Sequence, residues 1–234
     1  MCSSDLNDCT VIVRSHGVGE EFYIKAKNKG INVIDTTCVF VAKVHRIVKE
    51  NSQAGHRIII CGDPSHPEII GICGWASEKH HVVKSVDEVL QLEAFLKKSG
   101  DTLCIVSQTT LNMKLWDEMI FTLKSFNIPL EIFNTICSAT RLRQEEATDI
   151  SQNVDLVLVV GGKNSSNTQK LYEIAKKYAK NAQHIENVEE ISVNLSEKYD
   201  KIGIVAGAST PDWVILEVIQ KLKSEGEVVV NGRQ

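Results

Sequence analysis

Residues Arg57-Ile-Ile-Ile-Cys-Gly62 and, 99 positions later, Leu156-Val-Leu-Val-Val-Gly161 decide the architecture. Each is a short, continuous apolar run that stops at a glycine. That is the pattern of a strand buried on both faces of a parallel sheet. Similar apolar runs mark strands at Val11–Val13, Ile31–Ile34, His81–Val83, Leu103–Val106, Leu130–Phe133, Gln183–Ile185 and Ile202–Val205. Stretches of helical length and amphipathic period separate them: Glu20–Lys29, Val41–Ser52, Glu68–Ala76, Val86–Leu96, Asn112–Ser125, Thr140–Gln152, Asn167–Ala179, Val188–Leu195 and Pro211–Ser224. Strand alternating with helix predicts an α/β fold with parallel sheets.

The 99-residue spacing extends well beyond these two strands. It carries Thr36 and Cys38 onto Thr135 and Cys137, Ser52-Gln53 onto Ser151-Gln152, Asp101 onto Asp200 and Ile105-Val106 onto Ile204-Val205. Residues 8–37 match the second half of such a copy, with Asp8 and Ile12-Val13 on Asp101 and Ile105-Val106, and His16 at the place of Thr109. The expectation is three pseudo-threefold-related α/β lobes, the first incomplete. Residues 1–7 read as a non-native leader, 8–37 as a remnant of the first lobe, 38–134 as the second lobe and 135–234 as the third. A whole first lobe would place its own cysteine turn roughly 50–60 residues before Met1.

The chain of 234 residues is 43% hydrophobic, enough for a substantial core. With Lys+Arg 26 against Asp+Glu 30 the net charge is −4, which argues against a nucleic-acid binder held by bulk charge. No apolar run approaches the roughly 20 residues of a membrane span, and no signal peptide opens the chain. Seven cysteines, an odd number in that setting, read as reduced thiols of a cytoplasmic protein.

Ligands of parallel α/β sheets gather at the carboxyl ends of strands. The residues predicted there are Arg14-Ser-His16-Gly17, Thr36-Thr-Cys38, Gly62-Asp-Pro-Ser-His66-Pro-Glu68, Gln108-Thr109-Thr110, Thr135-Ile-Cys137, Gly161-Gly-Lys-Asn-Ser165-Ser166-Asn167 and Ala208-Ser209-Thr210-Pro-Asp212. Two chemistries mix in this set. Repeat-matched cysteines point to thiolate ligation of a metal or cluster, whereas hydroxyls, amides and histidines at helix starts point to a phosphate-bearing ligand. The plainer readings are buried structural cysteines and ordinary helix caps, which would make the chain a non-catalytic α/β phosphate-binding module. Cys61 and Cys104, inside apolar strands, are expected to be buried, and His45, His56, His80, His81 and His184 receive no role.

Seven co-linear stretches carry a resemblance to one family. They are Arg14-Ser-His16-Gly-Val, Asp35-Thr-Thr-Cys38, His66-Pro-Glu68-Ile-Ile-Gly, Ser107-Gln-Thr109-Thr, Asn134-Thr-Ile-Cys137-Ser-Ala-Thr-Arg-Leu-Arg-Gln144-Glu, Gly162-Lys-Asn-Ser-Ser-Asn167 and Ala206-Gly-Ala-Ser209-Thr-Pro-Asp212. The chain resembles the 4-hydroxy-3-methylbut-2-enyl diphosphate reductases of LytB type. The resemblance implies reductive dehydroxylation of that allylic diphosphate to isopentenyl and dimethylallyl diphosphate, in the methylerythritol phosphate route to isoprenoids. It implies a [4Fe–4S] cluster held in part by Cys38 and Cys137, with ferredoxin or flavodoxin as electron donor. Glu68 matches the proton-supplying acid, with Thr109 and His66 beside it. His16, His66, Thr109, Ser165, Ser166, Asn167 and Ser209 match substrate-binding positions. One departure is Val39, where the family usually has proline; no ligand is lost by it.

The third cluster cysteine and a second diphosphate histidine belong, by this resemblance, to the absent half-lobe. Anaerobic reconstitution with iron and sulfide is therefore expected to load the chain poorly and yield little turnover. A stoichiometric cluster with full reductase activity would contradict that expectation.

Overall fold

A computed structural model describes residues 9–192 and 195–224. The leader expected over residues 1–7, with Cys2 in it, lies outside the described residues. Met1–Cys137 and Ser138–Gln234 form two compact units.

The first unit begins with β1 (Thr10–Val13), α1 (Glu20–Asn28) and β2 (Asn32–Asp35), a two-stranded parallel sheet in which Thr10 is registered with Asn32. It continues through α2 (Val39–Gln53), β3 (Arg57–Cys61), α3 (Pro67–Cys73), β4 (His80–Val83), α4 (Val86–Ser99), β5 (Leu103–Ser107), α5 (Met113–Ser125) and β6 (Leu130–Ile132). These strands form a parallel sheet of order β4-β3-β5-β6. The second unit holds α6 (Ser138–Asn153), β7 (Leu156–Val160), α7 (Ser166–Tyr178), β8 (Ala182–Ile185), α8 (Leu195–Lys198), β9 (Ile202–Ala206) and α9 (Asp212–Ser224), with sheet order β8-β7-β9, again parallel.

The parallel α/β expectation holds, and the repeat is visible in the elements themselves. The starts of α2, β3, α3, β5 and α5 are followed 99 residues later by those of α6, β7, α7, β9 and α9. Alternation along the central strands explains why their sequences are apolar throughout. Ile59 and Cys61 of β3 face α4 and α5, packing with Val89, Leu96, Met119 and Leu123. Ile58 and Ile60 face α2 and α3, packing with Val44, Val48, Ile69 and Ile72. In the second unit Leu156, Leu158 and Val160 meet α9, while Val157 and Val159 meet α6 and α7. Each fully buried aliphatic side chain contributes about 1.5–3 kcal/mol by leaving water.

One predicted element differs. The helix expected over Val188–Leu195 is instead a 3-10 turn at Val188–Glu190, capped by Asn187, with α8 beginning only at Leu195. Ile191, Ser192 and Asn187 are poor helix formers, and the Asn187 side chain accepts from the Glu189 N–H at 3.0 Å, closing a turn locally.

Glycine pairs seat the first sheet on α3. A Cβ on Gly74 would stand 2.5 Å from Gly19 Cα, and one on Gly71 would stand 3.3 Å from Gly17 O. Across this contact the Glu20 N–H donates to Gly74 O at 3.2 Å, and the Trp75 indole N–H donates to Val18 O at 2.9 Å. Because backbone faces backbone, no rotamer can relieve an added methyl. Gly74→Ala is expected to lower stability by about 1–3 kcal/mol, read as an earlier urea midpoint with unchanged slope.

Candidate active site

Both repeat-matched cysteines sit in the same backbone device. After β2, the Thr36 N–H donates to Val13 O at 3.1 Å, its hydroxyl donates to the same carbonyl, and the Cys38 N–H donates to Ser15 O at 3.0 Å. Beyond β6, the Thr135 hydroxyl donates to Ser107 O at 2.7 Å while accepting from the Ser107 N–H at 2.8 Å, and the Cys137 N–H donates to Thr109 O at 3.0 Å. Cys38 caps the 15-residue α2 and is exposed; Cys137 directly precedes α6 and is half-buried. Cys61 and Cys104 are buried as expected, and burial pushes both thiols up to about 12. By position and accessibility, Cys38 and Cys137 fit two thiolate ligands of an iron–sulfur group. Among the described residues no cluster of three or more metal-ligating side chains forms.

Glu68 lies in the first turn of α3 and is only 2% exposed. Thr109, just past β5, donates to it twice: its N–H to Oε1 at 2.6 Å and its hydroxyl to Oε2 at 2.8 Å. Burial holds this carboxyl above the usual glutamate value, against the two Thr109 bonds, which favour the ionised form. The Thr109 carbonyl is the one that accepts from Cys137. The acid and a cysteine turn are thus joined through a single residue.

His66 caps α3, its Nδ1 accepting from the Glu68 N–H at 3.2 Å. In the neutral ring the proton therefore sits on Nε2. The His16 ring stands edge-on to it, centroids 5.4 Å apart. Burial lowers the pKa of both, aided at His16 by Arg14 and at His66 by His16, with Asp63 opposing at His66. The His16 Nδ1 is buried without a protein partner.

The turn hydrogen bonds correct one alignment. Gly17 N–H donates to Arg14 O, Leu111 to Gln108 O and Thr210 to Gly207 O, closing equivalent four-residue turns. Arg14, Gln108 and Gly207 are therefore equivalent. His16 corresponds to Thr110 and Ser209, not to Thr109, whose place is taken by Ser15. The remnant aligns one residue later than its apolar residues alone imply.

In the second unit, Ser165 caps α7 by accepting from the Thr168 N–H at 3.4 Å, Ser166 opens the helix, and Asn167 follows, 6% exposed. Neither side-chain polar atom of Asn167 has a protein partner. Ser209 occupies the exposed third position of its turn. Lys163, in the preceding loop, faces away into an ion pair with Glu190 at 2.7 Å, while its N–H donates to Glu186 Oε1 at 2.6 Å. The first unit thus brings together Glu68, Thr109, His16 and His66; Ser165, Ser166, Asn167 and Ser209 are carried on the second.

Sequence reasoning passed over His45 and gave Gln108 no role. His45, 5% exposed, stacks on Trp75 and abuts Gly17, where an added Cβ would lie 2.5 Å from its Cε1; burial lowers its pKa to about 4. Its repeat partner Gln144 is also buried, a polar-for-polar match at spacing 99 that could have flagged it. Gln108 accepts from the Asp63 N–H at 3.2 Å and donates to the Thr110 hydroxyl at 2.9 Å, bridging two strand-end turns.

A carboxyl whose pKa is raised by folding adds nothing unfavourable while protonated in both states. It destabilises the fold progressively as pH rises from 4.5 through the folded value. Glu68→Gln is therefore expected to equal the wild type in urea unfolding below pH 4.5 and to exceed it at about pH 8. A difference independent of pH would contradict the buried-acid assignment.

Comparisons with known proteins place the chain in a family. The LytB protein family model matches residues 2–223. The 4-hydroxy-3-methylbut-2-enyl diphosphate reductase of Caldanaerobacter subterraneus subsp. tengcongensis is 49% identical over 214 residues, covering 92% of this chain and 73% of the relative. A solved (E)-4-hydroxy-3-methyl-but-2-enyl diphosphate reductase, described as the terminal enzyme of the non-mevalonate pathway, aligns with TM-score 0.64 and 34% identity over 96% of this chain and 79% of its own. The E-1-hydroxy-2-methyl-but-2-enyl-4-diphosphate reductase of Plasmodium falciparum aligns with TM-score 0.83 and 30% identity over 91% of this chain and 66% of its own. Matched cysteine turns, a buried acid and a serine–asparagine helix start thus occur in a chain that belongs to the LytB protein family.

Proposed function

We propose that this chain reductively removes the hydroxyl of 4-hydroxy-3-methylbut-2-enyl diphosphate, giving isopentenyl and dimethylallyl diphosphate. The observation that carries the reading is Glu68: an acid buried at the strand ends, its pKa raised by burial and its position fixed by Thr109. The names of the relatives support the substrate and the reaction. The C–O bond breaks with two electrons and two protons; one proton leaves in water with the hydroxyl and the other forms a new C–H bond.

Cys38 and Cys137 would hold a [4Fe–4S] cluster, which when bound supplies the electrons and a Lewis-acid iron for the hydroxyl. A reduced ferredoxin or flavodoxin would recharge it. Hydroxide leaves poorly, so Glu68 delivers a proton toward the leaving oxygen while Thr109 holds its carboxyl in place. His66 presents its Nε2–H, and His16 stands beside it to receive substrate oxygens. Ser165, Ser166, Asn167 and Ser209 bind the diphosphate; the unpaired Asn167 amide supports this role, because such a group is expensive to bury without a ligand. The three sheets support a division into lobes at 8–37, 38–134 and 135–234. No helix among the described residues is long and apolar enough to cross a membrane, and reduced thiols suit work in the cytoplasm.

With chemically reduced mediator and the allylic diphosphate, Glu68→Gln is expected to lower kcat about 100-fold or more while KM moves little. Equal rates for variant and wild type would remove Glu68 from the reaction. Cys38→Ser separates the reductase from a plain phosphate-binding module: the reductase loses its iron-dependent absorbance, whereas the module binds diphosphate unchanged.

A further inference from the structure

Thr168, in the first turn of α7, is 0% exposed, and its hydroxyl has no protein partner. An unpaired buried hydroxyl is unfavourable, and the fold itself shows that the place does not need one. At the repeat-equivalent position on α3 stands Ile69, packed over Gly62 as Thr168 is packed over Gly161. The second unit differs in one further respect: glycine, Gly207, stands where the first has Gln108. A Cβ on Gly207 would lie 2.1 Å from Thr168 Oγ1, so the hydroxyl rests directly on the turn that carries Ser209. The neighbouring Thr210 hydroxyl, by contrast, is satisfied, donating to Val160 O at 2.9 Å. Beside Thr168, Asn167 leaves both of its polar atoms unpaired. Two consecutive buried side chains with three unmet hydrogen-bonding atoms therefore converge at one helix start.

We infer that Thr168 is a further substrate-positioning residue: its hydroxyl is kept for a hydrogen bond that forms when a diphosphate oxygen enters the first turn of α7. Its contact with Gly207 sets the Ser209 turn against that helix. This inference rests on the diphosphate reading proposed above. Binding satisfies the unmet hydroxyl, so the group contributes to affinity and not to the resting fold. A structural hydroxyl would do the opposite.

Thr168→Val keeps the shape and removes the hydroxyl; Thr168→Ser keeps the hydroxyl and removes the methyl. The probe is inorganic pyrophosphate, titrated calorimetrically into the full chain, with thermal midpoints measured in parallel. Thr168→Val is expected to bind about 10-fold more weakly at an unchanged or higher Tm, with KM for the allylic diphosphate raised by the same factor and kcat nearly unaltered. Thr168→Ser should retain the affinity. Wild-type affinity in Thr168→Val, a loss in Thr168→Ser as large as in Thr168→Val, or a loss that merely follows a fall in Tm would each overturn the inference alone. If the wild type takes up no pyrophosphate, the diphosphate reading falls, and this inference with it.

Discussion

A carboxyl group 2% exposed between a helix start and a strand end is the constraint on which the first unit turns. Glu68 can be buried there because Thr109 meets it with two donors at once, and Thr109 can do so because β3 and β5 are registered neighbours. The same residue gives its carbonyl to Cys137. Moving the acid would therefore move a cysteine turn, and moving β5 relative to β3 would move both. A buried acid is costly, and the same burial raises its hold on a proton.

The two histidines depend on contact of a different kind. Hydrogen bonds position Glu68; close packing of glycines positions His16. Gly17, Gly19, Gly71 and Gly74 let two backbones approach until only a hydrogen atom fits between them. His45 closes the far side of the Gly17 turn, stacked in turn on Trp75. Among the described residues the β1–α1–β2 piece shares no strand pairing with the larger sheet, so this seam of small residues carries much of its orientation.

The architecture was legible in the sequence because its strands are buried on both faces. Such strands need no alternation, and Ile58 to Ile60 or Leu156 to Val160 cannot be mistaken for a solvent-facing hairpin. Spacing separates Cys38 and Cys137, which the fold leaves accessible, from Cys61 and Cys104, which it buries; composition alone cannot do that. Val188–Leu195 was misread because its apolar period is helical, whereas the local Asn187 cap closes a tighter turn. The one-residue slip at His16 arose since apolar identity reports on strand faces, while turn register is set by carbonyls that sequence does not display. His45 went unrecognised for a related reason. A helix-face histidine looks alike whether it meets water or a glycine from another part of the chain.

The three isoleucines of β3 also bear on how the chain reaches this state. Ile58, Ile59 and Ile60 are flanked by one charge, Arg57, and one glycine, Gly62, and their partner β5 follows only after β4 and α4 have been made. Until then the segment is an uncharged, β-branched edge whose hydrogen-bonding groups toward β5 are open, the composition that associates between chains. Parallel pairing closes such edges late, because each partner must cross back over a helix. Synthesis of this protein therefore passes through an interval in which its future core is its most adhesive surface. Its yield in a cell depends on how quickly β5 arrives.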